Sequence, residues 1–135
     1  MPKSCPEKKK YRVLLKRAAL AIALIVGGWY FVTPTYDRSH YSPRRVYRLD
    51  YYEASWLQRL THMDMRYPHV IRLYRVEPRT LLGTSDVVDL WINGQLYWYL
   101  NPPMNKVRVG RDVVFENIPP ECADCPPLTD AEIMP

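Results

Sequence analysis

An uninterrupted apolar run from Ala18 to Thr33, AALAIALIVGGWYFVT, is the strongest pattern in the chain. Its sixteen residues would span roughly 24 Å as a helix, short of a hydrocarbon core of about 30 Å. Extension back to Val13 gives twenty-one residues and about 31 Å, which fits. The extension takes in Lys16 and Arg17, whose long stems can carry their charges to the interface. Trp29, Tyr30 and Phe31 fall at the other end, where an aromatic belt is expected, and Thr33-Pro34 stops the helix. The segment therefore reads as a transmembrane helix over 18–33, or 13–33 in the longer version. A cleaved signal peptide fits less well, because the flank offers a proline where small residues are needed. No cysteine follows the run to mark a lipoprotein.

Beyond the run, proline and glycine set the punctuation. Residues 34–48 lack apolar periodicity and read as a juxtamembrane linker. Leu49, Tyr52, Trp56, Leu57, Leu60 and Met63 recur at three- and four-residue spacing, which predicts a helix over 49–67. Asp50 and Glu53 resemble its capping box, and Tyr67-Pro68 ends it. His69–Glu77 is β-branched and aromatic and reads as a strand. Asp86–Ile92 and Gln95–Leu100 flank Asn93-Gly94, the pair favoured in a two-residue hairpin turn. Lys106–Val109 and Asp112–Phe115 surround Gly110-Arg111 as a second hairpin. Residues 117–135 hold five prolines and read as an extended, acidic tail.

The resulting order is an N-terminal transmembrane helix, one further helix, then four or five antiparallel strands. The fold class expected is α+β: a small roll over 49–116, with the helix packed on the sheet.

Charge changes the picture by fixing an orientation. The formal net charge is +5. Residues 1–17 carry +6 of it and residues 18–135 carry −1. The positive excess is thus a short basic arm preceding the apolar run, which should remain in the cytoplasm. The C-terminal hundred residues would then lie outside it. A bacterial inner membrane with a periplasmic domain is the expected location, and a mitochondrial inner membrane fits nearly as well. Without net positive charge in the outer region, nucleic acid is not an expected partner. Within that region, residues 34–79 carry +4 and residues 80–135 carry −5. Lys16, Arg17, Arg44 and Arg45 are accordingly the expected contacts with the membrane surface.

Candidate chemistry is sparse. Cys122 and Cys125 form a CxxC pair that an oxidising compartment would close into a disulfide. Pro126-Pro127 breaks the helix that a thioredoxin-type site needs, so redox or metal chemistry at this pair is the lesser reading. Nothing in the sequence matches HExxH, a P-loop, GxGxxG or a nucleophile elbow, and His62, Asp64 and His69 do not share a helix face. No catalytic residue, cofactor or metal is expected.

The anomaly is aromatic: eleven Tyr and four Trp stand against two Phe. Tyr and Trp join an apolar body to a polar tip and suit interfaces. Trp91, Tyr97, Trp98 and Tyr99 are the expected binding surface. The function expected is a membrane-anchored, extracytoplasmic protein-binding module: an assembly factor, accessory subunit, or inhibitor or immunity-type protein. Its partner would be another protein or a second copy of the chain. Binding of envelope glycan or lipid by the same aromatics is the alternative.

Overall fold

A computed structural model describes residues 5–135 of the chain. The apolar run lies within a helix, α1 (Cys5–Val32), that takes in most of the basic arm. It is long and apolar enough to cross a membrane, and the residues from Pro6 to Val32 are exposed along it. Only Thr33 and Pro34 separate it from the first strand.

The remainder is α+β. Strands β1 (Thr35–Tyr41), β2 (Tyr47–Glu53), β3 (Pro68–Arg75) and β4 (Thr80–Thr84) form one antiparallel sheet in that order. The two-residue β5 (Val88–Asp89) pairs with the start of β3. A second antiparallel sheet holds β6 (Leu96–Tyr99), β7 (Lys106–Val109) and β8 (Val113–Phe115). Tyr47, Leu49, Tyr51, Ile71 and Leu73 of the first sheet share one core with Trp98, Val107, Val109 and Val113 of the second. The short α2 (Trp56–Thr61) buries no residue, so the second sheet, rather than a helix, covers the first.

Two expected elements have a different form. The 49–67 helix is a strand for its first part. Tyr47, Leu49 and Tyr51 are buried at period two, and this alternation on β-prone tyrosines overrides the coincidental helical spacing of Leu49, Tyr52 and Trp56. The capping box is Ser55 with Gln58, not Asp50 with Glu53. The expected linker over 34–48 contains β1, an edge strand with little apolar content. It is held by its register with β2 and by aromatic pairs, Tyr36 with Tyr52 and His40 with Tyr51.

The Asn93-Gly94 hairpin is absent, since β5 and β6 belong to different sheets. Asn93 is 1% exposed and acts as a brace between them. Its Oδ1 accepts the N–H groups of Arg111 (2.8 Å) and Asp112 (3.0 Å). Its Nδ2 donates to the Asp89 carbonyl (3.1 Å) and the Asp112 carboxylate (2.8 Å). The β7–β8 hairpin forms, but Val109 and Val113 close a loop of three residues rather than the expected two-residue turn at Gly110-Arg111. Its Gly110 has φ +58°, and a Cβ there would sit 2.3 Å from Asn93 Cα. Glycine is required on both counts.

The tail over 117–135 is fastened rather than loose. Ile118 and Leu128 are buried in the core. The Tyr47 hydroxyl donates to the Pro119 carbonyl, and Arg44 donates to Glu121 (2.7 Å) and to the Pro126 carbonyl. Asn101 exchanges two hydrogen bonds with Leu128, at 3.1 and 2.6 Å. The tail ends in a short helix, α3 (Asp130–Ile133), beside β6.

Candidate binding surfaces

The expected aromatic surface divides into three places. Trp98 is 1% exposed and belongs to the core, because β6 alternates and Trp98 points inward. Tyr97 and Tyr99 point the other way and stack in parallel, with ring centroids 5.6 Å apart. Lys106 sits 5.6 Å from the Tyr99 ring. Trp91 lies in the turn after β5, exposed, with the Arg66 guanidinium 4.0 Å from its ring. One face cannot hold all four, since adjacent strand residues point to opposite sides.

A denser aromatic and basic array lies on the first sheet, on the face turned away from the core. Antiparallel register puts directly paired residues on the same face. Tyr36 lies opposite Tyr52, Asp50 opposite Arg72, and Arg48 opposite both Tyr41 and Tyr74. Cations and rings interleave across it. The Arg72 guanidinium lies 4.6 Å from the Tyr52 ring, Arg79 lies 5.2 Å from Tyr74, and Arg45 lies 4.5 Å from Tyr41. Arg48 grips the buried Asp50 through two bonds, at 2.5 and 2.9 Å, and these bonds hold its guanidinium protonated. Burial and the neighbouring Tyr74 hydroxyl push the Tyr52 phenol above its ordinary value. The tyrosine count carried a trace of this array. Its assembly depended on β1, β2 and β3 pairing, which the helical reading of 49–67 concealed.

The core-side face of β1 extends past the second sheet and leaves a cleft of about 490 Å³. Arg38, His40 and Tyr51 line one side, and Gln95, Leu96 and Tyr97 line the other. Arg38 lies 5.1 Å from the Tyr51 ring and pairs with Asp37 at 3.4 Å. Burial pushes the Tyr51 phenol up to about 12, against the opposing pull of Arg38. Burial, then the charge of Arg38, hold the His40 imidazole below its ordinary value.

Arg44 and Arg45 are engaged within the domain rather than beside α1. They follow β1, whose seven residues carry the chain roughly 20 Å from its start. There Arg44 holds the tail and Arg45 stacks on Tyr41. Lys16 and Arg17 lie within α1, exposed. Cys122 and Cys125 face each other at disulfide distance, with Cα atoms 5.6 Å apart. Among the described residues, no three His, Cys, Asp or Glu side chains are grouped to hold a metal ion. The chain matches no protein-family model, no curated protein and no solved structure.

Proposed function

We propose that the chain is a single-pass membrane protein whose outer domain binds a protein partner. α1 would be the uncleaved anchor, with its basic end in the cytoplasm and the domain in the periplasm or its equivalent. The observation that carries the binding reading is the Tyr–Arg array on the open face of the first sheet. Tyrosine and arginine are the residues enriched where protein interfaces are energetically strongest, together with tryptophan. Asp50 is already neutralised by Arg48, so Arg72 and Arg79 leave the face positive. An acidic surface or segment is the complementary partner.

The test is site-specific photocrosslinking in intact cells, from an activatable phenylalanine at Tyr74 in the full chain. A discrete adduct is expected, and Arg72→Glu should abolish it while the far-UV spectrum stays unchanged. An adduct that survives Arg72→Glu, or labelling from Val114 but not from Tyr74, refutes the assignment of this face.

A further inference from the structure

The chain between α1 and the domain is too short to act as a stalk. Val32 ends the helix and Thr35 begins β1, so at most about 11 Å of chain links them. The headgroup layer beyond a hydrocarbon core is itself about 5–7 Å deep. Whichever part of the domain adjoins Thr35 therefore sits at headgroup level.

Register identifies that part. Thr35 lies opposite Glu53, Glu53 opposite His69, and Pro68 opposite Asp89. The same end of the sheet thus carries two connections: residues 54–67, which include α2, and the turn after Asp89. α2 also approaches α1, with Cα atoms within 8 Å.

These two connections hold a concentration of exposed apolar side chains. Trp56, Leu57, Leu60 and Met63 come from the first, and Trp91 and Ile92 from the second. Met63 is 81% exposed and Trp91 62%. Asp89 joins the connections into one platform. Its carboxylate accepts the N–H groups of Arg66 and Tyr67 (both 2.9 Å) and of Trp91 (3.0 Å). The Tyr67 and Trp91 rings lie 6.1 Å apart, and Arg66 covers Trp91 with its charge. Apolar bodies, indole rings and a flanking arginine make up the chemistry of a membrane interface.

We infer that α2 and the turn after Asp89 insert into the interfacial layer of the leaflet from which α1 emerges. The occupant of this apolar platform is the bilayer, so the domain lies on the membrane and its Tyr–Arg sheet face remains free. The inference rests on α1 being an anchor.

The test uses the full chain with Cys5→Ser and its Cys122–Cys125 pair oxidised, reconstituted at low density in phosphatidylcholine vesicles. A nitroxide is attached in turn at Met63→Cys, at Leu24→Cys in α1 and at Val114→Cys on the second sheet. Collision rates with oxygen, which partitions into lipid, are compared with those of a water-soluble nickel chelate. Met63 should resemble Leu24, with an oxygen-to-nickel ratio several-fold above that of Val114. A nickel-dominated Met63 beside an oxygen-dominated Leu24 overturns the inference and leaves the anchor standing. A nickel-dominated Leu24 overturns both. Shielding of Met63 from both reagents means that protein covers the platform, and that also overturns the inference. Met63 is exposed and outside the core, so its replacement does not endanger folding.

Discussion

Replacing Asn93 with alanine isolates the brace between the two sheets. The side chain is 1% exposed and makes four hydrogen bonds. Truncation strands the Arg111 and Asp112 N–H groups beneath the turn and removes a bond to the Asp112 carboxylate. A net hydrogen bond contributes about 1 kcal/mol, and one to a charged group about 1.5–3. Arg111 and Asp112 are themselves exposed, so water recovers part of the loss. A destabilisation of about 2–4 kcal/mol is expected. For a domain of this size, that lowers Tm by at least about 8 °C. Near-UV circular dichroism, which reports the packing of Trp98, should follow the transition in detergent-solubilised full chain. Gly94→Ala is the contrast. Its Cβ would meet only the Leu90 carbonyl, at 3.3 Å, and the glycine does not have positive φ. Its cost should stay below about 1 kcal/mol. A hairpin turn at Asn93-Gly94 demands the reverse order, because Gly94 would then need positive φ. A larger loss from Gly94→Ala than from Asn93→Ala would refute the brace.

Two further outcomes are expected. Arg44→Ala leaves the buried Glu121 carboxylate without its 2.7 Å partner, so the tail should open. With about 1.5–3 kcal/mol at stake, the Leu128 N–H should exchange with solvent roughly ten- to a hundredfold faster, and unchanged protection would count against the strap. His40 has a folded-state pKa below its ordinary 6.5, so the unfolded chain takes up its proton first as pH falls. Stability from this group is complete above about pH 7.5 and declines through 6.5 toward the folded value, so His40→Gln should flatten the slope of Tm between pH 7.5 and 5.5; an unaltered slope would assign it to other groups.

How much was legible in the sequence depended on whether an element's partners were local. The apolar run of α1 announces itself, because a bilayer demands length and hydropathy from one segment alone. β3 was visible through its β-branched run, and the β7–β8 hairpin through Gly110. Residues 47–53 were not, because YRLDYY supports period two and joins onto a passable helical stripe ending in α2. The choice between them rests on pairing with β1 and β3. Asn93-Gly94 carried the strongest local turn signal and still went elsewhere. Asn93 satisfies backbone N–H groups eighteen and nineteen residues away, and no local rule weighs those bonds. The candidate surface suffered in the same way. The tyrosine excess pointed to an interface, but which tyrosines share a face is a matter of register, and Trp98 was lost to the core.

The charge pattern acquires a different meaning once the tail is placed. Residues 34–79 carry +4 and residues 80–135 carry −5, which resembles a basic skirt on anionic lipid with an acidic distal face. The structure turns part of that contrast inward. Arg44 belongs to the basic stretch and Glu121 to the acidic one, and they meet at 2.7 Å with Glu121 almost fully buried. Hydrogen bonds from Thr129 hold the Glu132 carboxyl below its usual range, and the charge of Arg44 adds to them. The acidic tail thus neutralises the far end of the basic strands and leaves their open face, with Arg72 and Arg79, uncompensated. Meanwhile the end of the sheet next to α1 exposes tryptophan, leucine and methionine rather than a cluster of arginines. Under the proposed insertion, attraction to lipid would depend on apolar side chains at one end. The positive charge of Arg72 and Arg79 lies on a different face, where the proposed partner would meet it.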